Sequence, residues 1–256
     1  MGGFGNAGPL APFLSPRGGE RVPGAAARRA GEGFGWHRHD DRFWGGSDAL
    51  TRVVLPDEVV DAILDGLSPA VTGGVLDVGC GYGSPTLAMA HHLPHARLVG
   101  IDYNAGSVAH ARQAAAEARL ADRVRFERGS ATDLPGSGYG LVTFFDALHD
   151  LGDPVGALMQ ARDALAPDGA VLVVEPLAGD RVEENFTPPG RMFYAVSTMI
   201  CTPNAVSQIA GADRSAPLGA QAGEALLRAT ATAAGFTRIR RLAVPAPLNL
   251  VLELRP

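Results

Sequence analysis

The chain has 256 residues, of which 46% are hydrophobic and 19% are charged. This length permits one large domain with a full core, and the composition is that of a globular protein. All 22 basic residues are arginines, and the formal net charge is −5. The arginines are scattered singly, so no basic patch predicts a nucleic-acid partner. The absence of lysine excludes P-loop, Schiff-base and Tyr-x-x-x-Lys dehydrogenase chemistry.

The two cysteines, Cys80 and Cys201, are too few for a disulfide framework and do not stand in a metal-ligand spacing. No stretch approaches the roughly 18 apolar residues that a membrane helix requires, and the first residues lack the pattern of a signal peptide. We therefore expect a cytoplasmic protein without a membrane partner.

The N-terminal part has a composition unlike that of the rest. Residues 1–35 are rich in Gly, Pro, Ala and Arg without a regular hydrophobic period, and residues 36–44 concentrate aromatic and ionisable side chains that we expect to pack on something. We predict an irregular segment over residues 1–45, followed by one domain over residues 46–256. The apolar spacing in residues 56–67 predicts a leading helix with Pro56 in its first turn.

Short apolar runs then alternate with longer Ala-rich segments, which is typical of an α/β fold. The runs predict strands over residues 74–78, 97–101, 123–128, 141–145 and 170–175. The intervening segments predict helices over residues 85–93, 105–120 and 154–165. Continuous apolar runs favour strands that are covered on both faces, so we expect a Rossmann-like, doubly wound sheet with helices on both sides.

The alternation stops in residues 179–218, which have aromatic residues and methionines but no strand pattern, and we predict an inserted cap there. It resumes with a helix over residues 220–234 and strands over residues 237–242 and 248–254. The last two strands are close enough to pair antiparallel. The prediction is therefore a seven-stranded sheet, mostly parallel, with an antiparallel C-terminal strand.

The first predicted strand ends in the glycine-rich turn Leu76-Asp-Val-Gly-Cys-Gly-Tyr-Gly83, and Asp102 lies 19 residues after Gly83. Glycines at such a turn let the backbone approach a ligand closely. The following helix supplies amide donors, and an acid about twenty residues further on can bind ribose hydroxyls. The pattern favours an adenosyl-containing ligand. The alternative is a tight strand-to-helix turn without a ligand.

The turn has the form acid-x-Gly-x-Gly-x-Gly and resembles the first motif of class I S-adenosylmethionine-dependent methyltransferases. A nicotinamide-binding turn has its third glycine one position later, where this chain has Ser84. Residues 139–150 and 165–175 resemble the family's fourth strand and its passage into the fifth. More narrowly, residues 35–256 are similar to bacterial two-domain methyltransferases that have an N-terminal winged-helix-like domain. We expect no such domain here, because only about 35 residues precede the similar region.

The resemblance implies that S-adenosylmethionine is the cofactor and that the glycine turn surrounds its methionine moiety. Asp102 would bind the ribose hydroxyls, and Tyr103 would pack on the adenine. Many relatives have an acid where this chain has Ser130, so Ser130 or Asp133 would take its role. The implied cofactor residues are Asp77, Gly79, Gly81, Gly83, Asp102, Tyr103, Ser130, Ala131 and Phe145.

Methyl transfer is an in-line displacement from a sulfonium, so alignment of the two reactants is the main task of the protein. A hydroxyl acceptor must also lose a proton, and a base would help. His149 is the first candidate for that base, and Asp146 would orient it or act itself. Alternatively, His149 only caps a turn, and an acceptor with a free lone pair needs no base.

The acceptor site is predicted from apolar side chains. Phe193, Tyr194 and Met199 form either the core of the cap or the wall of an apolar acceptor pocket. The resemblance to the two-domain methyltransferases implies that Trp36 and His37 fold over the methionine end of the cofactor. His37 and nearby ligand-type residues are crowded in one segment without a second cluster, so we predict no metal.

Together these features predict a methyltransferase that acts on a small, partly apolar molecule, and they leave a homodimer open. Two alternatives remain. One is a protein of the same fold that binds the cofactor without transferring its methyl group, as a cyclase-like enzyme or a sensor would. The other is a nicotinamide-dependent oxidoreductase, which Ser84 and the missing lysine disfavour.

Overall fold

The computed structural model of the chain describes residues 31–67, 71–209 and 217–256. Within them, seven strands form one sheet in the order β3-β2-β1-β4-β5-β7-β6. The strands are β1 (Gly74–Val78), β2 (Leu98–Asp102), β3 (Val124–Arg128), β4 (Tyr139–Phe145), β5 (Leu165–Pro176), β6 (Arg238–Arg241) and β7 (Asn249–Arg255). Strands β1 to β5 pair in parallel, and β7 lies antiparallel between β5 and β6. The predicted mixed, mostly parallel sheet is confirmed.

Helices lie around this sheet. The α-helices of the described residues are α1 (Asp41–Val54), α2 (Asp57–Asp65), α3 (Ser84–His92), α4 (Ala105–Glu117), α5 (Pro154–Asp163), α6 (Pro188–Val196), α7 (Thr202–Gln208) and α8 (Gly223–Ala233). Single turns of 3₁₀-helix cover Trp36–Arg38, Leu148–Asp150 and Val182–Asn185, and a π-helical turn, Ser197–Cys201, joins α6 to α7. None of these helices has both the length and the apolar character needed to cross a bilayer.

Strands β1, β2, β4, β5 and β7 bury most of their residues on both faces, as their apolar runs predict, whereas the edge strands β3 and β6 expose arginines. On one face Val75 and Leu141 belong to a core with residues of α2, α3 and α4. On the other face their neighbours Leu76 and Val142 pack with residues of α5 and α8. Adjacent strand residues therefore serve opposite layers, and the carboxyl ends of β1, β2 and β4 are left to form a site at one edge.

Helix α1 is the main element that the sequence did not predict. It begins at Asp41, inside the segment over residues 1–45 that we expected to be irregular, and residues 1–30 of that segment lie outside the described residues. Gly45 and Gly46 lower the helix propensity of this stretch. The available signal was Asp40, whose carboxylate caps the helix by accepting from the amide of Arg42 at 3.0 Å.

Several predicted boundaries also differ from the observed ones, including those of one helix and of strand β5. The helix predicted over residues 105–120 ends at Glu117, because Arg119 adopts a φ of 58° that stops the helix. Strand β5 begins at Leu165 rather than at the predicted residue 170. Its pairing with β4 changes register between these two positions. The predicted cap over residues 179–218 contains no strand among its described residues and is helical over residues 182–185 and 188–208, and its residues 210–216 lie outside the described part.

Candidate functional site

The three glycines of the turn after β1 all have left-handed backbone, with φ of 75° at Gly79, 53° at Gly81 and 86° at Gly83. A Cβ atom at Gly79 would lie 2.7 Å from the Cβ of Ala147, and one at Gly83 would lie 2.7 Å from the ring of Phe126. A Cβ at Gly81 would meet no atom within 4 Å. Two glycines therefore permit close packing, while Gly81 faces open space.

Asp77, in β1, stabilises this turn through two buried hydrogen bonds. It is 1% exposed, and its two carboxylate oxygens accept hydrogen bonds from the hydroxyls of Thr86 at 2.5 Å and Thr143 at 2.8 Å. Burial raises the pKa of Asp77 to about 6, against the lowering effect of these two hydrogen bonds. Its bonds join β1, β4 and α3, so Asp77 positions the turn.

Asp102 is the last residue of β2, and its carboxylate stabilises the glycine turn. One carboxylate oxygen accepts from the amide of Gly81 at 3.0 Å, and the other accepts from the amide of Asn104 at 2.8 Å. Burial raises the pKa of Asp102. The next residue, Tyr103, donates its hydroxyl to Oδ1 of Asn204 at 3.0 Å and so connects β2 to the cap.

A cavity opens beside the glycine turn, and we call it the glycine-turn cavity. It continues into a hollow at Ser130 and Ala131. Its lining includes Trp36, Trp44, Asp77, Gly79, Gly81, Asp102, Tyr103, Phe145, Asp146, Asp150, Asn204 and Gln208. Thus eight of the nine residues predicted to contact a cofactor line this cavity or the hollow, whereas Gly83 packs beneath the turn.

A second cavity lies under the cap, and we call it the cap cavity. Its walls are mainly apolar and include Leu50, Val54, Met192, Phe193, Val196, Ala220 and Leu248, with His149, Cys201 and Asn249 among its polar groups. The two cavities share a boundary, which we call the junction. The junction residues are Trp36, Ser47, Thr51, Asp146 and Asp150. A group bound in one cavity can therefore reach the other at this boundary.

His149 lies in the cap cavity and is 5% exposed. Its Nδ1 makes a short hydrogen bond with Glu175, and its Nε2 lies 3.4 Å from Oδ1 of Asp150. Burial lowers the pKa of His149, but the carboxylates of Glu175 and Asp150 outweigh that effect and raise it well above the ordinary value. Glu175 also accepts from the amide of Leu148 at 2.8 Å, so it fixes both the ring and its backbone.

Asp146 follows β4 with a φ of 46°, a left-handed conformation that Asp and Asn tolerate better than most residues. Its carboxylate accepts from Nδ2 of Asn249 at 2.9 Å. Burial and the nearby charge of Glu175 raise the pKa of Asp146 to about 7. Asp146 is therefore partly protonated near neutral pH.

Residues 34–39, which we call the N-terminal latch, attach to the cap. The amide of Phe34 donates to the carbonyl of Pro203 at 2.7 Å, and the amide of Trp36 donates to Oδ1 of Asn204 at 3.0 Å. The indole Nε1 of Trp36 donates to Asp150 at 2.6 Å. The structure thus brings Trp36 to the junction, against both cavities.

The structure separates the residues predicted for the acceptor pocket. Phe193 lines the cap cavity, but Tyr194 and Met199 do not line it, and Met199 is 52% exposed. Sequence reasoning also missed Glu175, Asn204 and Asn249. Glu175 ends a predicted strand beside the first base candidate, which was the available signal, whereas nothing local in the sequence indicated the other two.

Although no metal was predicted, the described residues contain one group of ligand-type atoms that lie close together. His149, Asp150 and Cys201 are all buried, and one such atom of each lies within 4.8 Å of the others. Burial and the charge of Asp150 raise the pKa of Cys201 to about 11. The thiol is then protonated at neutral pH, and a thiol is a far poorer metal ligand than a thiolate.

The sheet order, the antiparallel β7 and a cavity at the carboxyl ends of β1, β2 and β4 define a class I methyltransferase fold. Residues 72–223, more than half of the chain, match the family model described as a methyltransferase domain. The chain belongs to this family.

Individual relatives agree with this assignment. The 27-O-demethylrifamycin SV methyltransferase of Amycolatopsis mediterranei is 33% identical over 145 residues, which are 53% of each protein. The S-adenosylmethionine-dependent methyltransferase SibL, solved in its apo form, has a TM-score of 0.61 at 27% identity over 84% of this chain and 58% of its own. The mitomycin 7-O-methyltransferase MmcR has a TM-score of 0.67 at 18% identity over 90% of this chain and 65% of its own. At this low identity the similarity supports the fold alone.

The matched regions are only part of the relatives. They span between 23% and 56% of the length of eight curated relatives.

The glycine-turn cavity fits S-adenosylmethionine, the cofactor of this family. The open space at Gly81 leaves room for the methionine moiety beside the backbone, which a Cβ would partly fill. Asp102 stands at the end of β2, where an acid binds ribose hydroxyls. Ser130 and Ala131 line the hollow that continues from this cavity.

Proposed function

We propose that the protein transfers the methyl group of S-adenosylmethionine to a hydroxyl of a small, partly apolar molecule. One observation carries this proposal: His149, held by Glu175, lines an apolar cavity that shares the junction with the glycine-turn cavity. When bound, the cofactor supplies an activated methyl group on a sulfonium. The family assignment favours this function over a nicotinamide-dependent one.

The protein's first task is alignment. In-line displacement requires the attacking atom, the methyl carbon and the sulfur to lie in a row, and correct placement supplies several kcal/mol of the rate enhancement. The junction is the boundary that both cavities share, so reactants bound on its two sides face each other there. Trp36 and the N-terminal latch cover the junction and help to exclude water.

The second task is to accept the proton of the hydroxyl. Nδ1 of His149 is engaged by Glu175, which leaves Nε2 to take this proton. The pKa of His149 is raised well above its ordinary value by its carboxylate neighbours, so the ring must first lose its own Nε2 proton. We therefore expect methyl transfer to accelerate as the pH rises.

The cap cavity defines the kind of acceptor. Its wall is mainly Leu, Val, Met and Phe side chains, which bind apolar rings or chains. No arginine lines it among the described residues, and the protonated ring of His149 already faces Glu175 and Asp150, so an anionic acceptor would find no free cationic partner there. The acceptor that fits is therefore a neutral, hydroxylated molecule with a substantial apolar part.

The test is a screen of neutral phenols and polyketide-type alcohols with S-adenosylmethionine, with the methylated product read by mass spectrometry. A product whose new methyl group is on oxygen is the expected result. His149→Gln and Glu175→Gln should each lower kcat at least 100-fold while S-adenosylhomocysteine still binds. His95→Gln, an exposed histidine remote from both cavities, is the matched control.

Two results would contradict the proposal. Tight cofactor binding without methylation of any acceptor in a broad screen would favour the alternative of a sensor or cyclase-like protein. An N-methylated or C-methylated product with full activity in His149→Gln would mean that no base is needed, and the hydroxyl assignment would be wrong.

A further inference from the structure

We propose that the junction is a cation-binding subsite, in which Asp146 and Asp150 hold the sulfonium of S-adenosylmethionine and discriminate it from the neutral product S-adenosylhomocysteine. This inference rests on the cofactor placement proposed above. The methyl group must cross from the glycine-turn cavity to the cap cavity, so the sulfur that carries it lies at the boundary of the two. Two of the five junction residues are acids.

Asp150 has an unsatisfied oxygen at this place. Its Oδ2 accepts from Nε1 of Trp36 at 2.6 Å, whereas its Oδ1 is buried, makes no hydrogen bond among the described residues and lies 3.4 Å from Nε2 of His149. The residue is 8% exposed. A buried carboxylate oxygen without a hydrogen bond is costly, and the imidazolium that Asp150 shares with Glu175 offsets only part of that cost, so a further cation stabilises it.

Asp146 supplies the second carboxylate. Asn249 donates only to one of its oxygens, and that side-chain amide bears no charge. Desolvation and the nearby Glu175 make ionisation of Asp146 unfavourable without a cation, since they raise its pKa to about 7. A fixed positive charge beside Asp146 favours its ionised form. Binding of the sulfonium and ionisation of Asp146 therefore strengthen each other.

The charge balance at the junction leaves room for one added cation. Protonated His149 is paired with Glu175 through Nδ1, and its Nε2 lies 3.4 Å from Oδ1 of Asp150, so one positive charge faces two carboxylates. Asp146 adds a third carboxylate, and no arginine lines either cavity among the described residues. Trp36 adds an aromatic ring at the same boundary, and such rings attract cations with their faces.

A metal ion is the competing cation, because Cys201 lies close to His149 and Asp150. The sulfonium is favoured for two reasons. The raised pKa of Cys201 keeps its thiol protonated. Only Asp150 of the three ligand-type residues lines the glycine-turn cavity, whereas both junction acids do.

The experiment compares dissociation constants from calorimetry for three ligands: S-adenosylmethionine, S-adenosylhomocysteine and sinefungin, whose amine replaces the methylsulfonium and is protonated. The wild-type chain should bind both cationic ligands about tenfold more tightly than S-adenosylhomocysteine. Asp146→Asn and Asp150→Asn should each reduce this preference about threefold, and the double variant should abolish it. Unchanged binding of S-adenosylhomocysteine shows that the variants are folded.

The matched control is Asp48→Asn. Asp48 lines the glycine-turn cavity but not the cap cavity, and its carboxylate is already paired with Arg52 at 2.8 Å. Its variant should keep the full preference for cationic ligands.

Three results would overturn the inference. Equal binding of charged and neutral ligands to the wild-type chain, or an undiminished preference in the double variant, would contradict the subsite while leaving the cofactor site intact. Failure of all three ligands to bind would contradict the cofactor placement as well. One zinc ion per chain that survives dialysis against EDTA and is lost in Cys201→Ser would assign the acids to a metal instead.

Discussion

At the scale of single residues, the site is unusual in how many acids surround one histidine. Asp146, Asp150 and Glu175 are all within the electrostatic reach of His149, and two of them raise its pKa. The arrangement is costly for folding because several desolvated carboxylates repel one another. Costs of this kind concentrate at functional sites, where the charges have a use.

Asp146→Asn should stabilise the folded protein at alkaline pH. The folded-state pKa of Asp146 is about 7, raised from 3.8 by burial, so between these values the folded state binds more protons than the unfolded state. Stability is therefore lost as the pH rises to about 7. The Asn variant avoids that loss, which is a few kcal/mol at most, and Asn tolerates the left-handed backbone.

The measurement is the free energy of unfolding in urea at pH 5 and pH 8, the two sides of the Asp146 titration. The variant should gain more at pH 8 than at pH 5. An equal gain at both values would mean that Asp146 does not titrate in this range.

Glu175→Gln should lower the pKa of His149 by at least about one unit, because a neutral amide no longer stabilises the imidazolium. The carboxylate of Glu175 is in direct contact with Nδ1 of His149. An NMR titration of the histidine ring protons gives the pKa directly and needs no acceptor. A pKa that does not move would show that Asp150 alone raises the value.

At the scale of elements, the N-terminal latch and α7 meet on one side chain. Asn204 is 1% exposed, accepts from the Trp36 amide and the Tyr103 hydroxyl, and donates to the carbonyl of Asp150 at 2.8 Å. Three separate parts of the chain therefore depend on it: the latch, β2 and the turn after β4.

Asn204→Ala should release the latch and weaken S-adenosylhomocysteine binding about tenfold, since each lost hydrogen bond of a buried group costs roughly 1 kcal/mol or more. Hydrogen exchange should show faster exchange of the amides of residues 34–39. Gln208→Ala is the matched control, because Gln208 also donates to the carbonyl of Asp150 and lines the same cavity without contacting Trp36. Equal exchange in both variants would contradict the role of Asn204.

Elements with a local signal could be predicted from the sequence. The inner strands could, because they are largely continuous apolar runs, and the glycine turn could, because its spacing is specific. Helix α1 could not, because Gly45 and Gly46 interrupt its pattern. Asn204 and Asn249 could not, because their partners Trp36 and Asp146 lie 168 and 103 residues away, and such pairs leave no local period.

At the scale of the whole molecule, the site is assembled from the latch, the sheet edge and the cap, so a ligand that binds it should stabilise all three together. A concentration of S-adenosylhomocysteine about 100-fold above its Kd should raise the Tm by roughly 5 °C or more. Asp102→Ala should lose this shift, because it removes an anchor of Gly81 and the acid that we propose to bind the ribose. Thermal unfolding with and without ligand measures both effects.

The control is Asp122→Ala, at an exposed position outside the two cavities. It should keep the full ligand-induced shift. A shift that persists in Asp102→Ala would place the ligand elsewhere.

The position of β7 has a consequence for biosynthesis. β7 follows β6 along the chain but lies between β5 and β6 in the sheet. While the ribosome is still making this part, β5 therefore has an open edge, and open edges of buried strands invite pairing with other chains. Asn249 and Leu248 reach the cap cavity only with β7. A nascent chain is thus without a complete cap cavity, and most exposed to aggregation, until β7 leaves the exit tunnel.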